Sequence, residues 1–309
     1  MPRYNTQHLL RTLEASIGQE SAHIELKWMK LALSSAPPHR DPALPPIPDL
    51  PTMVARRARG EPLQYILGTQ PFGPLHLRTR PPVLIPRAET EHWALRLSQT
   101  LAPSPRMPVR VLDICTGSGC IPLLLCKKWA PGSTYAVGID IAPAALELAA
   151  ENAAVCGVST VPPPINDSNR GEALQNVFTP LRGDVRDPVN LATALPLRPF
   201  NVVTANPPYI TREDYEALPP SVKDFEDPAA LIGDHPGTPE RGGLTFYYDI
   251  ARLLRQKGVL SEGALVALEV GDGQAREVEK IVRSETQLGT TEVWMDPWGK
   301  ERVVFARGA

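Results

Sequence analysis

The sequence predicts an α/β fold with a doubly wound, largely parallel sheet. Apolar runs of strand length alternate with helical stretches. The strands read VRVLDIC (109–115), TYAVGID (134–140), FNVVTAN (200–206) and ALVALEV (264–270), and the helices lie at about 119–129, 143–156 and 244–257. That alternation is the pattern of repeated strand–helix–strand units. The first strand runs into a glycine-rich turn that opens a helix, the place where such sheets bind ligands. With 309 residues the chain is long enough for one large domain and a smaller one.

The smaller unit comes first. Residues 6–33 read as helix, with Leu9, Leu10, Leu13 and Ile17 on one face and a second apolar run of Ile24, Trp28, Met29 and Leu31. The proline-rich stretch 34–49 reads as a linker. A short helix at about 50–59 carries Arg56, Arg57 and Arg59, expected as an exposed face. Residues 1–59 are therefore expected as a helical domain. Residues 60–86 combine turn residues with short apolar runs, which predicts a β-hairpin connector. Residues 87–309 hold the sheet. Within them, Pro143 suits the first turn of its helix, 159–176 reads as a surface insertion, and 291–306 can supply two closing strands.

Composition narrows the function. Hydrophobic residues make up 42% and charged residues 21%, as a packed core requires. A formal charge of -2 does not suit a general nucleic-acid binder, so no direct nucleic-acid partner is expected. The four cysteines, Cys115, Cys120, Cys126 and Cys156, form no C-x-x-C pair and have no histidine cluster. Reduced thiols are expected, with no metal. No apolar run is long enough to span a bilayer, so no membrane partner is expected. Arg3 and Arg11, with Glu14 the one acidic residue among the first sixteen, weakly suggest a mitochondrial presequence, but a surface helix is the favoured reading of this stretch.

Two motifs carry chemistry. Asp113-Ile114-Cys115-Thr116-Gly117-Ser118-Gly119 links a strand to a helix. Its glycines let backbone approach a ligand, and the helix start offers free N–H groups. A dinucleotide fingerprint fails, because Pro122 stands at its third glycine position. Asp113 ahead of the glycines suits a cofactor with a cationic amino-acid end. Asp140, ending the next strand, can accept both hydroxyls of a ribose. Asp184, in RGDV (182–185), can meet an adenine edge. Together these indicate S-adenosylmethionine. The competing explanation is three acidic residues capping helices.

The second motif is Asn206-Pro207-Pro208-Tyr209, directly after a strand. Two prolines hold the backbone rigidly as it leaves the sheet. The Asn206 side-chain carbonyl and the Pro207 backbone carbonyl are both acceptors. They can hold the two N–H bonds of a planar NH2 group and direct its lone pair at a methyl group. Tyr209 can stack on the plane. A protein amide and a nucleobase amine both satisfy this motif.

The whole set resembles the HemK/PrmC family of protein-(glutamine-N5) methyltransferases. GEPLQYILG (60–68) is similar to the family's connector signature, and LIPRAETE (84–91) to its L-I-P-R-P-E-T-E block, with Ala88 in place of proline. DICTGSGCI, GID, RGD and NPPYI follow in the family's order. FEDPAAL (225–231) resembles Y-E-x-x-x-A-L, and Glu269, Gly271 and Gln274 resemble E-x-G-x-x-Q. Residues 159–176 and 234–241 look like extra length. The resemblance implies a Rossmann-like class I S-adenosylmethionine methyltransferase sheet with a small helical N-terminal domain and a β-hairpin connector. It implies that Asn206, Pro207, Pro208 and Tyr209 bind the glutamine amide of a release factor's Gly-Gly-Gln loop. The cofactor would be held by Asp113, Cys115, Thr116, Gly117, Ser118, Gly119, Asp140, Asp184, Val185 and Asn206. A monomer is expected, mitochondrial in a eukaryote and cytoplasmic in a bacterium. The alternatives are an amino-methyltransferase acting on adenine or cytosine of DNA or RNA, and a binding module without catalysis. Arg87, Glu89 and Glu91 fit either a functional block or a solvated loop.

Overall fold

The first apolar stripe closes onto a small helical core. The computed structural model describes residues 5–34, 46–161 and 174–308. Helix α1 (Thr6–Ile17) starts at Asn5, whose Oδ1 accepts the His8 N–H at 3.2 Å. It ends at Gly18, with φ at 80°, and α2 (Gln19–Ser34) begins immediately. The helical stretch expected over 6–33 is divided into two helices, because Gly18 leaves the helical region. Helix α3 (Leu50–Ala58) is capped by Asp49, which accepts from Thr52 N at 2.9 Å.

Leu9, Leu13, Ala22, Leu26, Met29, Leu50, Met53 and Val54 form the core between these helices. On α2 the packed stripe is therefore Ala22–Leu26–Met29. The run predicted there contributes only Met29, and Ile24, Trp28 and Leu31 are about half exposed. The helix has two apolar stripes, and the one with small Ala22 is the one that meets its neighbours. Arg57 bonds Glu25 at 2.6 Å, tying α3 to α2, and Arg56 pairs with Glu61. Only Arg59 of the three arginines is a plainly exposed side chain.

The segment expected as a hairpin alone holds a short helix, α4 (Leu63–Leu67), before β1 (Thr69–Phe72) and β2 (Leu75–Arg78), which pair antiparallel. Phe72, Leu75 and Leu77 are buried in the same core cluster as Trp93, Leu123 and Leu124. The hairpin is therefore packed onto the sheet's helical layer.

The remaining elements are α5 (Ala88–Ser98), β3 (Val109–Ile114), α6 (Cys120–Lys128), β4 (Thr134–Asp140), α7 (Pro143–Val155), β5 (Val177–Arg182), α8 (Pro188–Ala194), β6 (Phe200–Ala205), α9 (Arg212–Glu216), α10 (Pro220–Lys223), α11 (Thr245–Leu254), β7 (Leu260–Glu269), α12 (Ala275–Glu285), β8 (Leu288–Met295) and β9 (Glu301–Gly308). The strands and helices predicted in this part of the chain form, and α5, α8, α9, α10 and α12 are added to them. The seven-stranded sheet runs β5-β4-β3-β6-β7-β9-β8. Its first five strands are parallel, and β9 is antiparallel to both neighbours. Successive strand residues face opposite layers. Leu112 and Ile114 join one core with α8, α11 and α12, while Val111 joins the other with α5 and α6. Strand order reverses between β3 and β6, which leaves a crevice at their carboxyl ends.

The linker 34–49 and the insertion 159–176 lie mostly outside the described residues, as does Arg3. All four cysteines are free thiols.

Candidate active site

Strand β3 delivers the glycine-rich turn to the crevice. Cys115 leaves the strand with φ at 58°, a strained left-handed conformation for a residue with a Cβ. Thr116 N donates to Ile139 O at 2.9 Å, which sets the turn against β4. The fit is close: a Cβ on Gly138 would lie 2.5 Å from Thr116 Oγ1. Asp140 then completes the turn. Its Oδ2 accepts from Gly117 N and its Oδ1 from Ala142 N, each at 2.9 Å. Burial raises its pKa against the pull of those N–H groups. Each oxygen keeps lone-pair capacity for a ribose hydroxyl.

A cavity of about 630 Å³ opens above these strand ends, a size suited to a nucleoside-like ligand. Of the predicted cofactor residues, Cys115, Gly117, Asp140, Asp184, Val185 and Asn206 line it. Asp113, Thr116, Ser118 and Gly119 do not. Asp113 is fully buried, and its two oxygens accept from Thr116 and Thr204 hydroxyls, each at 2.6 Å. It faces inward because its strand position lies between Gly138 and Thr204 in the sheet. Burial pushes its carboxyl up to about 7. Asp113 thus clamps the turn to β6, in place of the direct cofactor contact expected for it. Asp184 lines the cavity with its carboxylate chelated by Arg186 Nε at 2.8 Å and Nη2 at 2.7 Å, which lowers its pKa.

Asn206 and Pro208 bring the N-P-P-Y segment to the same cavity. Tyr209 turns back toward the core. Its hydroxyl lies 3.5 Å from Glu269 Oε1, and its carbonyl accepts from Gln274 Nε2 at 2.9 Å. A Cβ on Gly243 would fall 2.1 Å from that carbonyl, so only glycine permits the approach. Glu269, 1% exposed, accepts from the Thr90 hydroxyl and the Trp93 indole N–H, both at 2.7 Å. Burial raises its pKa, opposed by those two bonds and by Arg302. Asn206 Nδ2 donates to Thr90 Oγ1 at 3.3 Å.

The charged block at 84–91 is therefore no free loop. Arg87 pairs with buried Glu226, and Asp227 N donates to Pro82 O at 2.8 Å. Thr90, Trp93 and His235 were not singled out in the sequence. Thr90 stands inside a quoted block, but no local spacing ties it to Glu269. His235 comes from the extra length at 234–241 and lines the cavity, its Nε2 2.6 Å from Asp249 Oδ2.

No protein-family model matches the chain. Sequence relatives do. The release factor glutamine methyltransferase of Geobacter sulfurreducens is 36% identical over 255 residues, 82% of this chain and 76% of that protein. The chain belongs to the release factor glutamine methyltransferase family. A fission yeast member, the "Probable MRF1 mitochondrial N(5)-glutamine methyltransferase mtq1", is 32% identical over 81% of this chain and 76% of its own. A solved structure of a release factor-specific protein-(glutamine-N5) methyltransferase from Alicyclobacillus acidocaldarius is similar at 25% identity. It covers 72% of this chain and 94% of that one, with a TM-score of 0.40. Members of this family are methyltransferases, so the methyl donor bears on the cavity. The lining residues fit S-adenosylmethionine: a carboxylate with lone-pair capacity left at Asp140, half-buried turn backbone at Gly117, and apolar walls at Ile139, Ile141 and Phe246.

Proposed function

We propose that this protein transfers a methyl group from S-adenosylmethionine to the side-chain amide nitrogen of the glutamine in a release factor's Gly-Gly-Gln loop. The carrying observation is that Asn206 reaches the cavity lined by Asp140 and Gly117, with its NH2 turned to Thr90. Cys115, Gly117, Asp140, Asp184, Val185 and Asn206 hold the cofactor, and Asp113, Thr116, Ser118 and Gly119 brace the turn. When bound, S-adenosylmethionine supplies an electrophilic methyl on a cationic sulfur that departs as a neutral thioether.

The protein's own work is orientation. An amide nitrogen is a poor nucleophile because its lone pair is delocalised. Asn206 Oδ1 and the Pro207 carbonyl accept its two N–H bonds and hold the nitrogen in line with the methyl. Pro208 stiffens the segment at the cavity, and Tyr209, packed against the core and held by Glu269 and Gln274, anchors its end, so that stacking on the amide plane would need its ring to swing toward the cavity. Positioning and hydrogen bonding supply most of the rate. The amide proton is lost late, to those acceptors or to water. Residues 1–59 act as the recognition domain, 60–86 as connector and 87–309 as the methyltransferase domain. The chain works as a monomer, and the fission yeast relative's name supports a mitochondrial setting.

A labelled S-adenosylmethionine assay with a release factor tests this. Label should appear on the Gly-Gly-Gln glutamine by mass spectrometry and vanish with a Gln-to-Ala factor. Asn206→Ala enzyme should lose at least about a hundredfold in rate. Label on nucleic acid in place of the factor would defeat the substrate assignment.

A further inference from the structure

We infer that Glu269, acting through Thr90, fixes which way the Asn206 side-chain amide faces, and is a positioning residue for methyl transfer. The inference rests on the function proposed above. Three elements meet here: α5 brings Thr90 and Trp93, Asn206 directly follows β6, and β7 ends at Glu269. Glu269 Oε2 accepts both the Thr90 hydroxyl and the Trp93 N–H at 2.7 Å. A threonine hydroxyl has one hydrogen. With that hydrogen on Glu269, Thr90 Oγ1 can only accept from Asn206.

The consequence reaches the cavity. Asn206 must point Nδ2 at Thr90, at 3.3 Å, and so leaves Oδ1 for the substrate. In the flipped orientation two acceptors would face each other across that contact, and the substrate would meet N–H groups in place of a carbonyl. Nothing on β6 itself enforces the choice. What Thr90 needs from residue 269 is an acceptor, and the Trp93 N–H ensures that oxygen occupies that position. A glutamine there would keep its carbonyl toward Trp93 and Thr90 for the same reason.

The test is steady-state methyl transfer to a release factor, with S-adenosylmethionine affinity by calorimetry and thermal unfolding as parallel readouts. Thr90→Val should lower kcat at least about tenfold, with S-adenosylmethionine Kd held within about twofold. Thr90→Ser should restore the rate. Glu269→Met should lower kcat, and Glu269→Gln should restore it. In a double-mutant cycle, Thr90→Val should add no loss to Asn206→Ala, since Thr90 acts through Asn206. Wild-type kcat in Thr90→Val or Glu269→Met, or additive losses in the cycle, would overturn the positioning role alone. A wild-type enzyme inactive on the release factor would overturn the proposed function with it.

Discussion

Both oxygens of Asp113 are held by threonine hydroxyls inside the sheet. Burial pushes its carboxyl up to about 7, well above the usual carboxylate range. A raised folded pKa means that the folded state binds the proton more tightly. The stability this confers is complete below the unfolded pKa and is lost as pH rises through the folded one. Wild-type protein should therefore lose thermal stability between about pH 4 and about pH 7 through this group. Asp113→Asn, neutral and of the same shape, should show a flatter profile over that window. Identical slopes by scanning calorimetry would mean that Asp113 titrates elsewhere. The sequence offered Asp113 as a ligand because it precedes the glycines. Its inward direction follows from strand alternation and from Thr204, a residue 91 positions away.

Single side chains also weld elements together. Asn152 on α7 is fully buried. Its Oδ1 accepts from Arg78 N at 2.7 Å, and its Nδ2 donates to Ser118 O at 3.0 Å. One amide therefore joins the hairpin to the glycine-rich turn. Asn152→Ala leaves those buried backbone groups unpaired and should cost about 2–3 kcal/mol in denaturant unfolding. A loss near zero would mean that the hairpin is not coupled to the turn. The blocks around 84–91, 225–231 and 269–274 have the same explanation. Arg87 meets Glu226, while Glu269 and Gln274 grip either end of Tyr209. Their spacing in sequence carries no local periodicity, so the residues were legible as motifs and their partners were not. Strands β3, β4, β6 and β7 and helices α6, α7 and α11 were legible within a few residues, since apolar patterning is a local signal, whereas α5, α8 and α12 were not read. Helix α4 was not, because its five residues are too short to show a period.

Across the whole molecule, the cavity lies at the carboxyl ends of β3, β4 and β6, while the helices α1–α3 pack around a separate core. Outward on α2, Ile24, Trp28 and Leu31 form an apolar stripe, with Trp28 50% exposed. If residues 1–59 recognise the release factor, Trp28→Ala should raise KM for that factor at least about tenfold, as loss of an aromatic anchor does. Stability should move by no more than about 0.5 kcal/mol, and S-adenosylmethionine affinity should not change. An unaltered KM would place recognition elsewhere. By itself, the sequence determined the alternating α/β sheet, the glycine-rich turn, Asp140 and the N-P-P-Y segment, because each is written in contiguous residues or short periods. Only the tertiary structure decided which stripe of α2 is buried, that Asp113 braces and does not touch the cavity, and that Thr90 meets Glu269 across 179 positions. Those outcomes depend on which distant surfaces pack together, and a chain's local pattern does not specify its distant neighbours.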